Sequence, residues 1–222
     1  FLTLCFLFVF NGTLSYSSDK RNSIPKLFTL LSSVVMLFQL LICLLDVKKL
    51  SVFNDLDFTL DILNFKLIFA LEGFTVVFCF LTALLIFICI LLIWDKKHFF
   101  EQAICLFLVQ IFVVAAFTVK DIFFFYVFFE AIVLPMYVMI TKYGSRDRKI
   151  RAAQLLLYYT LVSSALLLIA IGGIYSFFGT TSYEVLSSDY GLKTLPKTFQ
   201  NILWLIFFVS FATKMPLVPF HT

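Results

Sequence analysis

Two ionisable residues of opposite sign lie deep inside long apolar runs. Glu130 sits in the run from Ile122 to Ile140, and Lys214 in the run from Ile202 to His221. A charge at mid-bilayer costs about 2.5–3.5 kcal/mol on insertion scales, so membrane chains rarely carry one without a use for it. The two together point to ion or proton handling. Glu130 lies nine residues after Asp121 and ten before Ile140, close to the midpoint of its run. Burial and mutual attraction act in opposite senses on each protonation equilibrium, and a coupled pair of this kind titrates as a unit. The alternative is a static buried ion pair that fastens two helices together.

Helix breakers flank both charges. Pro135 follows Glu130 by five residues, and Pro216 and Pro219 closely follow Lys214. Proline lacks a backbone donor and clashes with the carbonyl four residues earlier. Inside a membrane such breaks are tolerated where protein groups or water satisfy the freed backbone, and a charge beside a broken helix is a recurring arrangement for ion sites near the midplane. Asp121, next to Lys120 at a helix start, suits a capping role or a functional one. His221, just after the two prolines, is placed to relay protons near neutral pH or to do nothing chemical. His98, in Asp95-Lys-Lys-His98, reads as a solvated loop residue, and Glu72 as an interfacial cap.

Other chemistries lack residues to carry them. The chain has no GxGxxG or Walker sequence, no catalytic triad and no haem or iron–sulfur spacing. The five cysteines (Cys5, Cys43, Cys79, Cys89, Cys105) all fall in apolar runs without a CxxC or Cys/His cluster, which argues for inert buried thiols rather than a metal site or a disulfide framework. No Lys/Arg stripe with interleaved aromatics suggests nucleic acid.

The elements that must position Glu130 and Lys214 are membrane helices. Of 222 residues 62% are hydrophobic and 14% charged, against about half and a quarter in soluble domains. The mean hydropathy is +1.05. Apolar runs near 20 residues suit a hydrocarbon core of about 30 Å. They predict an all-α, polytopic transmembrane bundle of about seven helices: a stump over 1–10, then 27–45, 74–94, 103–119, 121–141, 153–178 and 201 to the end, the seventh broken by its prolines. The run Phe1–Phe10 has no basic stretch before it and no small-residue cleavage site after it, so it reads as the stump of a helix rather than a signal peptide. Residues 46–66 form a polar stretch, expected to be an extramembrane loop with a short interfacial segment. Gly172-Gly173 reads as a site of close helix packing.

Loop charges orient the bundle. Loops after helices one, three and five hold Lys20, Arg21, Lys26, Lys96, Lys97, Lys142, Arg146, Arg148, Lys149 and Arg151. The opposite loops hold Lys48, Lys49, Lys66, Lys120, Lys193 and Lys197. The positive-inside rule places the loop 142–151 in the cytoplasm or, in an organelle, the matrix. The 31 phenylalanines hint at AT-rich, organellar coding.

Several motifs then occur in order: Phe123–Met136 (FFFYVFFEAIVLPM), Arg148-Lys-Ile-Arg-Ala-Ala153 with Tyr159-Thr-Leu161, Gly179-Thr-Thr181, and Ser210-Phe-Ala-Thr-Lys-Met-Pro-Leu-Val-Pro-Phe-His-Thr222. From about residue 72 to the end, the chain resembles the subunit 4 family of the mitochondrial proton-pumping NADH:ubiquinone oxidoreductase, respiratory complex I. The Lys-Met-Pro-Leu-Val-Pro-Phe-His run separates it from the sister subunits 2 and 5.

The resemblance implies an antiporter-like subunit of about fourteen helices, built from two inverted five-helix repeats. Glu130 matches the family's glutamate in helix five and Lys214 its lysine in the broken helix seven, together the first half of a proton channel. Asp121 matches a further acidic position, and Glu72-Gly73 stands where the family has Asp-Gly. The expected organisation is a family-variable region, 1–66, and an antiporter-like proton-translocating region, 67–222. The second half is expected on a longer or a separate polypeptide.

The resemblance also implies that this chain binds no cofactor, with NADH, FMN, iron–sulfur clusters and ubiquinone held by other subunits. Its partners are expected to be other membrane-arm subunits, neighbouring antiporter-like subunits among them, the C-terminal half of the same subunit, and membrane lipids, in the mitochondrial inner membrane. Two rival readings stand: a free-standing cation/proton antiporter subunit, and a structural membrane segment of a larger complex.

Overall fold

The computed structural model describes residues 23–45, 60–62, 65–67, 69–70, 73–187 and 196–214. The stump over 1–10, Glu72, Pro216, Pro219 and His221 lie outside them. Within them are helices α1 (Ser23–Leu45), α2 (Gly73–Leu92), α3 (Phe99–Thr118), α4 (Ile122–Ala131), α5 (Val133–Tyr143), α6 (Lys149–Phe178), α7 (Tyr183–Ser187) and α8 (Lys197–Lys214). Two three-residue strands, β1 (Leu60–Ile62) and β2 (Phe65–Leu67), pair antiparallel with Leu60 opposite Leu67. They lie at the end of the stretch expected to be extramembrane. Among the described residues four segments are long and apolar enough to cross a membrane: α2, α3, the α4–α5 segment Ile122–Tyr143, and α6. The chain is a multi-pass membrane protein.

The chain divides into two compact units, Phe1–Leu56 with Ala70–Thr118, and Asp57–Phe69 with Val119–Thr222. In the first, α2 is the middle helix, packed on both α1 and α3. Its buried stripe, Val76, Cys79, Ala83, Ile86 and Ile90, keeps the alternating spacing of three and four that holds one helical face toward its neighbours. Met36 of α1, Cys79 of α2 and Val114 of α3 form one apolar cluster with Leu40 and Ile111. The Lys26 ammonium donates to the carbonyl of Trp94 at 2.7 Å and lies over the rings of Trp94 and Phe99. This ties the start of α1 to the end of α2, where orphan carbonyls need donors. At the opposite end, Ala70 N–H donates to Thr118 O at 2.8 Å.

In the second unit α6 is the central helix, packed on α4, α5 and α8. Its 30 residues reach about 45 Å, more than a hydrocarbon core requires. The turn joining α5 to α6 is tight: a Cβ on Gly144 would stand 2.6 Å from Ile140 O. Lys149 Nζ donates to Lys142 O there, filling one of the carbonyls that α5 leaves open. At its other end α6 stops at Gly179, whose φ of 67° is the left-handed conformation of a helix C-cap, with its N–H on Tyr175 O. The glycine pair expected to allow close packing divides in two. Gly173 lies against α8, where a Cβ would meet Phe199 at 3.4 Å, while Gly172 has nothing within 4 Å.

Candidate ion-pair site in the membrane

The helix carrying Glu130 is two helices. The apolar run predicts one element over 121–141, but α4 ends at Ala131 and α5 begins at Val133, with Ile132 in a turn between them. The cause lies three residues on. Pro135 has no N–H to give the Ala131 carbonyl, and the next bond, Met136 N–H to Ile132 O, is stretched to 3.4 Å. Glu130 therefore stands in the last turn of α4, where the helix dipole already presents negative potential. A cation is the counter-charge that such a place requires.

Lys214 supplies it. Its ammonium is hydrogen-bonded and ion-paired to Glu130 Oε1, across 84 residues of sequence. The same nitrogen lies 3.8 Å from the centroid of the Phe129 ring, within range of a cation–π attraction. The side chains are 14% exposed for Lys214 and 19% for Glu130, so neither is sealed off and neither is freely solvated. Phe129 packs on Phe211 of α8 at 6.3 Å and stacks on Phe125 at 5.4 Å, which walls one side of the pair with rings. The structure thus brings together the two charges singled out in the sequence, and adds Phe129. One aromatic among 31 phenylalanines gave no signal of its own.

Asp121 is elsewhere. Nine residues from Glu130 on the same helix, it is about 14 Å away along the axis. Its carboxylate caps α4: Oδ1 accepts from the N–H groups of Phe123 at 2.8 Å and Phe124 at 3.3 Å. Oδ2 accepts the hydroxyl of Thr181 at 2.7 Å, and the residue is 5% exposed. Two backbone bonds reinforce the junction, Ile122 N–H to Thr181 O and Tyr183 N–H to Lys120 O. Of the roles open to it in sequence, the geometry describes the cap. The sequence does not mark Thr181 as its partner, because nothing local points to a hydroxyl sixty residues away.

His98 is exposed at the head of α3, with Nδ1 3.7 Å from Glu101 Oε1. Cys79 and Cys105 are buried, Cys89 is partly so, and all three are free thiols. Among the described residues no three His, Cys, Asp or Glu side chains come together as metal ligands do.

Residues 119–222 match the family described as NADH:quinone oxidoreductase/Mrp antiporter, transmembrane. NADH-ubiquinone oxidoreductase chain 4 of Prototheca wickerhamii is 44% identical over 161 residues, 72% of this chain and 30% of that protein. The chain belongs to this antiporter-like family. The same subunit of Metridium senile is 39% identical over 164 residues, again 72% of this chain and 33% of the relative. The chain thus spans about a third of the length of the curated relatives it matches. In the solved structure of respiratory complex I from Thermus thermophilus with bound NADH, one chain superposes with a TM-score of 0.78 at 23% identity. The match covers 99% of this chain and 44% of that one. This likeness shows a shared fold, and the antiporter-like family membership accounts for it.

Proposed function

We propose that this chain is a proton-translocating part of the membrane arm of NADH:ubiquinone oxidoreductase, coupling quinone reduction to proton movement across the inner mitochondrial membrane. The observation that carries the reading is the Glu130–Lys214 pair, largely buried in an apolar segment and seated where the helix ladder is broken. Lys214 is the switchable carrier, and Glu130 the partner whose charge sets how readily Lys214 gives up its proton. The chain performs no redox step; NADH, FMN, iron–sulfur clusters and ubiquinone belong to other subunits. Its neighbours are other membrane-arm subunits, including antiporter-like ones, the remainder of its own subunit, and lipid. The chain 4 relatives and the complex I fold support that setting.

The test is Glu130→Gln in the assembled complex. Proton pumping and coupled quinone reductase turnover should fall, while NADH oxidation by artificial acceptors stays intact. Normal pumping per electron together with a normal reductase rate would remove Glu130 from the mechanism.

A second reading, a pair that only fastens α4 to α8, draws on the same contact. Replacing both residues with apolar ones separates the two, because matched removal of a buried pair is often close to neutral for stability. A fastener would leave pumping unchanged.

A further inference from the structure

Two independent registers bring a third residue to the level of the pair. The first is the turn between α5 and α6, where a Cβ on Gly144 would meet the Lys149 side chain at 3.0 Å. Counting fourteen residues back from Gly144 gives Glu130, and fourteen forward from Lys149 gives Ser163. The second is the antiparallel contact of α6 with α8, fixed where Gly173 faces Phe199 and Leu203 and where the rings of Phe177 and Phe199 lie 4.3 Å apart. Counting ten residues back from Gly173 again gives Ser163, and ten forward from Leu203 gives Thr213, beside Lys214. At equal rise per residue the unbroken helices α6 and α8 bring Ser163 and Thr213 to one level, and the count to Glu130, which crosses the turn at Ile132, reaches that level to within about one helical turn.

The facing stripes agree. Ser163, Leu167, Ala170 and Ile174 recur at helical spacing on α6, and all are buried. Ala170 and Ile174 pack with Leu203, Phe199, Ile206 and Phe207 of α8. On α8 the matching stripe runs from Phe199 and Leu203 through Ile206 to Ser210 and Lys214. The interface is apolar toward the end of α6 and becomes hydroxyl-bearing at the level of Lys214. Ser163 is 0% exposed and Ser210 2%.

These hydroxyls have a defined polarity. Ser163 donates to Thr160 O at 2.8 Å, Ser210 to Phe207 O at 2.9 Å, and Thr213 to Ser210 O at 2.9 Å. With its proton committed to a backbone carbonyl, each oxygen is left as an acceptor. An ammonium carries three donors, and Glu130 takes one of them.

We propose that Ser163, with Ser210 beside it, is the alternative seat of the Lys214 ammonium when that group leaves the Glu130 carboxylate. The idea rests on the reading of Glu130 and Lys214 as the working pair. An acceptor-only hydroxyl holds the cation without competing for its proton, and weakly enough to let it return. Ser163 is thus a positioning residue for the carrier.

The experiment is made on the complete complex in its native membrane, with assembly checked by native gel. Coupled turnover and protons pumped per NADH are compared for Ser163→Ala, Ser163→Cys and Ser163→Thr, with Glu130→Gln as the reference for the parent reading. Alanine and cysteine keep the volume small while removing or weakening the acceptor, so both should lower coupled turnover about tenfold, the scale of one lost hydrogen bond to a charged group. Threonine, which restores the acceptor, should recover most of it. Full turnover in Ser163→Cys, or equal loss in all three variants, overturns the seat and leaves a packing role. If Glu130→Gln is itself normal, the parent reading has failed instead, and the seat fails with it.

Discussion

Thr181 donates its hydroxyl proton to Asp121 across sixty residues of sequence, so the end of α6 is fastened to the start of α4 by the same carboxylate that caps α4. One side chain thereby satisfies the first N–H groups of a helix and clamps a loop. Removing it should affect how the second unit holds together, with little effect on any proton step. Asp121→Ala is expected to cost about 1–2 kcal/mol from the cap alone. Thr181→Val should cost less on its own, and the two losses should combine less than additively, since they share a bond. Thermal unfolding of the detergent-solubilised complex, followed by release of the subunit, checks this. Additive losses would mean that the clamp is not a unit.

The Glu130–Lys214 pair makes a different prediction for stability than for pumping. Lys214→Met alone leaves a carboxylate without its counter-charge at the negative end of α4, and the loss of stability should be about 3–5 kcal/mol. The double variant Glu130→Leu with Lys214→Met should recover most of that loss and still not pump. Assembly yield and pumping, measured on the same preparations, separate the two effects. A double variant that pumps normally would identify the pair as a fastener.

Backbone positions test the fold around the site. Gly179 is left-handed, so Gly179→Ala should cost about 1 kcal/mol although its Cβ meets no neighbour. Gly173→Ala, with Phe199 at 3.4 Å, should be nearly tolerated, whereas Gly173→Leu should push α6 from α8. Gly172→Leu, at a position where a Cβ meets nothing within 4 Å, should assemble normally. Native-gel yields rank the four, and an order in which Gly172→Leu is the worst would contradict the described α6–α8 face.

The loop between α5 and α6 tests orientation. Ser145→Cys should react with a membrane-impermeant maleimide in inside-out vesicles and not in intact ones, because the basic residues around it favour the inner face of the membrane. Labelling only from the opposite face would invert the topology.

Much of this architecture is legible in the sequence, and the mismatches share physical causes. Apolar runs located α2, α3 and α6 but began them late for α3, α6 and α8. Phe99, Lys149 and Lys197 begin helices whose first turns carry charge, because hydropathy marks the hydrocarbon span and not the helix that overshoots it. The run holding Glu130 looked continuous, since the effect of Pro135 falls on the hydrogen bond it fails to make and so appears at Ile132. The charged pair was legible because isolated charges in apolar runs are rare. The role of Asp121 stayed open because a capping carboxylate and a functional one look alike until Thr181 is seen beside it. Ser163 gave no signal, since a serine in a membrane helix is ordinary until its level is known.

The interruption at Ile132 has a mechanical consequence. A continuous helix resists bending because each bend stretches a backbone bond, but here the bond from residue 135 to Ala131 was never available. The membrane segment from Ile122 to Tyr143 is therefore two stiff rods with a soft joint, and the joint lies two residues from the carboxylate. Bending there costs less than in an unbroken helix, so α5 and the basic loop at its end can change angle against α4 right beside the carboxylate.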